Sequence, residues 1–184
     1  MLAGDLVAQL AAAGARLAAA GLVRSSEGNV SARIDGRRCL VSPAGGVTGR
    51  LSGADLVEVP LDGSPVPARA SSEVHLHIEV YRRRPDVGAV VHAHPPRVLQ
   101  LSAAGRLPDA TFLEPGERVF GQVLEVAYFE EGSRALARAA AGALTESVAC
   151  VLRDHGAVTV GASLDVALRR MLMLERAAAR GRGF

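Results

Sequence analysis

Two histidines one residue apart, His92 and His94, end the apolar run Ala89-Val90-Val91, and Pro95-Pro96 stops it. Alternate side chains of an extended strand point to one side, so both imidazoles share a face at a strand end. Such a pair is half of a metal site. Taken alone it is equally a strand end with two polar residues near solvent. A third histidine, His155, stands in Arg153-Asp154-His155-Gly156 between two apolar runs, at what reads as a turn between strands. Three histidines match the catalytic zinc sites that take three protein ligands and leave one position open.

One carboxylate stands where either a helix cap or chemistry would place it. Glu73 follows Ser71-Ser72 at a helix start and has no evident packing role, although an acid in a first turn is also favoured by the helix dipole. His77 lies four residues on and shares its helix face; it reads as a half-buried helix residue rather than a ligand. Gly28-Asn29 and Gly45-Gly46 are loop positions where backbone can approach an anion closely. Ser71 and Ser72 add hydroxyls and N–H groups at a helix N-terminus, a ready phosphate site. Each piece has an ordinary turn or cap explanation; what matters is that they occur together.

The 184 residues suffice for one domain, 1–184, with a sizeable core of its own. With 49% hydrophobic and only 3% aromatic residues, that core must rest on Ala, Leu and Val. A net charge of +2 is too weak to imply a nucleic-acid partner. Arg82-Arg83-Arg84 falls where a helix should end, and cations there complement its dipole. All 21 basic residues are Arg. The missing lysine excludes a Walker phosphate loop and Schiff-base catalysis through a lysine amine, which leaves a metal as the electron sink for carbonyl chemistry. Cys39 and Cys150 match no C-x-x-C pattern and read as reduced thiols of an intracellular protein. With no signal-like N-terminus and no apolar stretch of spanning length, the expectation is a soluble, cytoplasmic protein.

These residues need elements to position them. Leucines at 2, 6, 10 and 17 predict an amphipathic helix over 2–20, closed by Gly21. Strands are expected over 29–34 and 39–42, joined at Asp35-Gly36, and over 56–61. A helix runs from Ser71 to about Arg83, ended by Pro85, with Val74, Ile78 and Tyr81 on its apolar face. The His92/His94 strand, a short helix over 97–104 and an unreadable stretch over 111–121 follow. A strand over 126–129, a helix over 133–146, strands over 148–152 and 157–160, and a helix over 163–180 complete the chain. Hairpin-like spacing argues for a mixed, mostly antiparallel sheet with helices on both faces.

As a set, Gly28-Asn29-Val30-Ser31, Ser42-Pro43-Ala44-Gly45, Ser71-Ser72-Glu73, Val91-His92-Ala93-His94 and Asp154-His155-Gly156 resemble the class II aldolase and adducin family, and the spacing is similar to that of its fuculose-phosphate aldolases. The resemblance implies an α/β protein with three α/β/α layers. It implies a divalent ion, usually zinc, on His92, His94 and His155, with Glu73 as the acid/base and as a further metal ligand before substrate arrives. It carries a phosphate pocket over to Gly28, Asn29, Ala44, Gly45, Ser71 and Ser72. It also implies a cyclic homotetramer with a small phosphorylated sugar as substrate, and no nucleic-acid or membrane partner. The expected reaction is cleavage of a ketose 1-phosphate to dihydroxyacetone phosphate and an aldehyde through a metal-stabilised enediolate. Epimerisation, dehydration of the methylthioribulose-phosphate type or decarboxylation start from the same site. A non-enzymatic adducin-like interaction domain would share the fold. Two departures stand out. Ala44 replaces the family's hydroxyl residue and leaves a backbone N–H there. The family's mid-chain and C-terminal tyrosines have no counterpart: the loop reads Thr111-Phe112-Leu113-Glu114, and only Tyr81 and Tyr128 exist.

Overall fold

Leu6, Leu10, Ala13 and Leu17 form one stripe of helix α1 (Ala3–Ala19), and all four are buried. Gly21, at φ +72°, ends the helix, and the Leu22 N–H reaches back to the Leu17 carbonyl at 3.0 Å, a six-to-one helix cap. The structure, a computed structural model, describes residues 3–109, 112–114, 117–118 and 121–180.

Strands β1 (Asn29–Arg33), β2 (Arg38–Val41) and β3 (Val57–Pro60) form an antiparallel meander, and helix α2 (Val74–Arg83) follows. Strand β4 (Ala89–Ala93) leads into helix α3 (Pro96–Ala103). Strands β5 (Phe112–Glu114) and β6 (Glu117–Arg118) make a separate pair. Strand β7 (Leu124–Val126), helix α4 (Arg134–Glu146), strands β8 (Ala149–Leu152) and β9 (Gly156–Gly161), and helix α5 (Leu164–Arg180) close the order. The main sheet runs β3-β2-β1-β4-β9-β8-β7; only the β7–β8 pairing is parallel. The mixed, mostly antiparallel α/β sheet expected from the sequence is the one observed.

Strand alternation divides the core in two. Val30, Ala32, Ala89, Val91 and Ala93 face the layer made by α1, α3 and α5. Val41, Val90, Val158 and Val160 face α2 and α4. On β4 the second set continues through His92, so the site lies on the α2 side of the sheet. Val74, Ile78 and Tyr81 are buried there as expected, against Ala137, Ala140 and Ala141 of α4. Small alanines let the two helices approach without aromatic bulk.

Three expectations need correction. The strand placed at 126–129 lies at Leu124–Val126, because its partner is β8 in parallel register, Leu124 beside Cys150. The chain leaves the sheet where the apolar run seemed to begin. The hairpin after β1 is one residue longer than an Asp-Gly turn, because the Asp35 carboxylate accepts the Arg37 N–H at 2.8 Å and binds the Arg38 guanidinium. His77 is fully buried rather than half-buried. Of the unreadable stretch 111–121, residues 111, 115, 116, 119 and 120 lie outside the described residues. Cys39 and Cys150 are buried free thiols, as expected. Among the described residues no helix is long and apolar enough to cross a membrane.

Candidate metal centre

His92 is the last but one residue of β4 and His94 lies just past its end. The β4–β9 register sets Ala93 opposite Ala157, which brings the β8–β9 turn carrying His155 over the same spot. That turn needs a positive φ, and Asp154 supplies it at +57°; Asp tolerates this region better than most residues. Gly156 follows because nothing larger fits: a Cβ there would sit 2.7 Å from the His92 ring, 2.9 Å from the His94 ring and 2.7 Å from the Ala93 carbonyl.

The three imidazoles stack edge to face, with ring centroids 4.8 to 5.3 Å apart. One ring nitrogen from each lies within 4.8 Å of the others. His92 Nδ1 donates to the Ala157 carbonyl at 3.1 Å, so its Nε2 faces the cluster. That Nε2 lies 3.2 Å from His94 Nε2 and 3.0 Å from Glu73 Oε2. Lone pairs of neutral imidazoles at such distances repel one another unless something positive lies between them. The donor set therefore fits a divalent cation in a partly open site.

Glu73 occupies the N-cap position of α2 rather than its first turn, and its side chain caps nothing. Instead it points into the cluster, 7% exposed. Oε2 accepts from the Asn29 side-chain amide at 3.0 Å, whereas Oε1 has no hydrogen-bond partner and lies 3.4 Å from His155 Nε2. Burial works against the carboxylate's charge, but His92, His155 and Asn29 outweigh it and hold Glu73 well below the usual carboxylate range. Burial likewise opposes charge on His92, and the Glu73 carboxylate overcomes it, raising that imidazole's pKa. His94 is pushed down to about 4, first by burial and then by the charges on His92 and His155.

A cleft of about 220 Å³ opens over this cluster, and the walls include Gly28, Asn29, Ala44, Gly45, Ser71 and Ser72. All six residues expected around a phosphate thus share one cavity with Glu73, His94 and His155, while His92 lies fully buried beneath it. One detail is corrected: the Ala44 N–H donates to the Arg69 carbonyl at 2.9 Å, so it is not a spare donor. The Ser71 N–H is likewise taken by the Ser42 carbonyl at 3.0 Å. Gly28, at φ +66°, is held to glycine by Val23 and the His92 carbonyl, within 2.8 Å of any Cβ.

Two carboxylates at the mouth escaped the sequence reading. Glu27 Oε2 lies 3.8 Å from His94 Nδ1, and Glu131 Oε1 lies 3.9 Å from His155 Nε2. Glu27 adjoins Gly28-Asn29 and could have been flagged; Glu131, in an acidic loop before α4, carried no pattern. Tyr81 is buried under α2 and Tyr128 is 62% exposed, and neither lines the cleft.

Residues 8–180 match the class II aldolase and adducin N-terminal domain family, and the chain belongs to it. A methylthioribulose-1-phosphate dehydratase of Acidiphilium cryptum is 37% identical over 190 residues, 94% of this chain and 90% of that protein. An L-fuculose phosphate aldolase of Methanocaldococcus jannaschii is 32% identical over 85% of this chain and 84% of its own length. The crystal structure of L-fuculose-1-phosphate aldolase from Thermus thermophilus superposes with a TM-score of 0.86 at 35% identity, covering 98% of both chains. With the three histidines and the buried carboxylate gathered into one cluster at the cleft floor, the chain stands on the enzymatic side of this family.

Two outcomes follow from the geometry. Gly156→Ala should leave the secondary structure intact by circular dichroism while abolishing stoichiometric uptake of a divalent cation, measured by metal analysis, because two rings must move. The second concerns acid. Burial pushes His77 down to about 3, against about 6.5 for a free histidine. The unfolded chain therefore takes up a proton below about pH 6.5 that the folded chain refuses until about pH 3, so stability falls with falling pH, by at most about 1.4 kcal/mol per unit. Thermal melts of His77→Gln should show a shallower decline over this window than wild type; parallel declines would disprove it.

Proposed function

We propose that the chain is a zinc-dependent aldolase that cleaves a small ketose 1-phosphate to dihydroxyacetone phosphate and an aldehyde. The observation that carries this reading is the Glu73 carboxylate: buried, ionised, tied at Oε2, free at Oε1, and beside three converging imidazoles. His92, His94 and His155 would hold the cation, with Glu73 as an added ligand before substrate arrives. When bound, the cation supplies Lewis-acid stabilisation of negative charge on the substrate's carbonyl and neighbouring hydroxyl oxygens.

The remaining work falls to this chain's own groups. In the condensation direction ionised Glu73 takes a proton from the carbon beside the carbonyl, and in cleavage it returns that proton as the carbon–carbon bond breaks. The hydroxyl of the aldehyde half loses its proton in the same cleavage, and ionised Glu73 takes up that proton, directly or through solvent, before delivering it to carbon, so the protons balance. Gly28, Asn29, Ala44, Gly45, Ser71 and Ser72 form the phosphate end. Gly45 and Ser72 have backbone N–H groups that are not spent on partners among the described residues, and α2 directs its positive end there. The reading extends to one catalytic domain over 1–184, a cytoplasmic location and a homotetramer with sites near subunit boundaries.

A second reading is dehydration of a methylthioribulose-type phosphate, favoured by the 37% identical dehydratase and by the absence of any tyrosine from the cleft among the described residues. It begins with the same proton removal by Glu73 and then expels a hydroxyl from the next carbon. Zinc-loaded protein assayed against a panel holding fuculose 1-phosphate and methylthioribulose 1-phosphate separates the two. Aldehyde with dihydroxyacetone phosphate is the expected result; a dehydrated product without aldehyde overturns the aldolase reading. In the same assay His94→Ala should lose metal and turnover together. Glu73→Gln should keep zinc and lose about 100-fold or more in turnover. Full activity in Glu73→Gln would remove the carboxylate from the chemistry.

A further inference from the structure

On β1 the side chains of Asn29, Ser31 and Arg33 point to the α2 side, two residues apart. On α2 Glu73, His77 and Tyr81 follow one another four residues apart on one face. Two strand residues rise about 6.6 Å and four helix residues about 6 Å, so the two rows keep step. They interlock. The Tyr81 hydroxyl lies 2.8 Å from Ser31 Oγ, and Ser31 Oγ lies 2.6 Å from His77 Nδ1. His77 Nε2 lies 2.5 Å from Asn29 Oδ1, and Asn29 Nδ2 donates to Glu73 Oε2 at 3.0 Å. Asn29, Ser31, His77 and Tyr81 are all 4% exposed or less.

The direction of every bond follows from the carboxylate. An ionised Glu73 only accepts, so Asn29 turns its NH₂ toward it and its oxygen toward His77. That oxygen only accepts, so His77 carries its proton on Nε2 and leaves Nδ1 bare. The bare Nδ1 takes the Ser31 proton, and Ser31 Oγ in turn accepts from the Tyr81 hydroxyl. We propose that Tyr81, Ser31 and His77 form a positioning row that locks the Asn29 amide, so that Oε2 of Glu73 stays tied and Oε1 alone is left to move the proton. His77 is thus a positioning residue, acting through Asn29 on the carboxylate. With no donor at its oxygen, the Asn29 amide is free to turn over and set oxygen against oxygen at Glu73. This inference rests on the acid–base role proposed for Glu73.

Two measurements on zinc-loaded protein test it. Nitrogen-15 NMR of the histidines reads the tautomer directly: His77 should carry hydrogen on Nε2 with Nδ1 bare, and a proton on Nδ1 overturns the row whatever substrate is turned over. Kinetics read the consequence. With the phosphate turned over in the panel, His77→Phe should lose about 10- to 100-fold in kcat with KM and zinc content unchanged. His77→Gln, which keeps a donor near the position of Nε2, should recover most of that loss. A folded His77→Phe within twofold of wild type (on the order of 0.4 kcal/mol), or one altered only in KM, overturns the proposal. Should His77→Phe fail to fold, Ser31→Ala takes its place, with a mixed His77 tautomer and a lowered kcat expected; an unchanged tautomer and kcat overturn it. Glu73→Gln is the control: if it retains full activity the acid–base reading falls, and the NMR result alone then decides whether the row exists.

Discussion

A carboxylate that stays ionised while 7% exposed is the constraint around which this fold is arranged. Burying an unpaired charge is costly enough that a protein ordinarily neutralises it instead. Here the charge is kept because imidazoles stand on one side of it and an amide donor on the other. Neither set is local in sequence. His92 comes from β4 and Asn29 from β1, and the two are paired across the sheet. His155 arrives on the β8–β9 turn, and the carboxylate itself on the residue that caps α2. The sheet register is therefore part of the electrostatics. A slip of one residue on β1 would turn Asn29 away from the site and leave Glu73 without its donor.

The close approach of three rings makes its own demands on the backbone. Asp154 accepts a left-handed conformation so that the hairpin reverses in three residues, and Gly156 gives up a side chain so that the His92 and His94 rings can pass. Gly28 does the same beneath the opposite wall, where the His92 carbonyl would meet any Cβ. The Asp154-His155-Gly156 trio is thus one unit: a residue that turns, a residue that joins the imidazole cluster and a residue that makes room.

How much of this could be read beforehand follows from what each feature depends on. The elements were legible because they rest on period: the leucines of α1 and the apolar run before His92. The three histidines were legible because type and order point to a metal even without distances, whereas Glu73 read as a helix cap until the family resemblance was set beside it. β7 was misplaced because an edge strand paired in parallel with β8 takes its limits from that partner and not from its own alternation. The buried row escaped for a different reason. Asn29, Ser31 and Arg33 look like an ordinary polar strand face, and His77 like a helix histidine, until period two on one element is set beside period four on another. Glu131 depends on where a loop folds back, which no local pattern encodes.

The division of the core explains why one framework can carry several reactions. The α1, α3 and α5 side is largely apolar, with the buried Thr159 hydroxyl spent on the Ala167 carbonyl, and mainly holds the sheet. The α2 and α4 side carries the polar row within a core of valines and alanines, each group satisfied by the next, which is what a buried polar network requires if it is not to destabilise. His92 is fixed within β4, and Glu73, His94 and His155 sit directly at the ends of α2, β4 and the β8–β9 hairpin. The carboxylates at the mouth are of another kind: Glu27 and Glu131 are exposed on connecting segments. On the reading proposed above, proton removal beside a carbonyl would belong to the rigid part, and the choice between breaking a carbon–carbon and a carbon–oxygen bond would fall to groups at the mouth. A change of product within this family would then call for changes in loops and leave β1, β4 and α2 as they are.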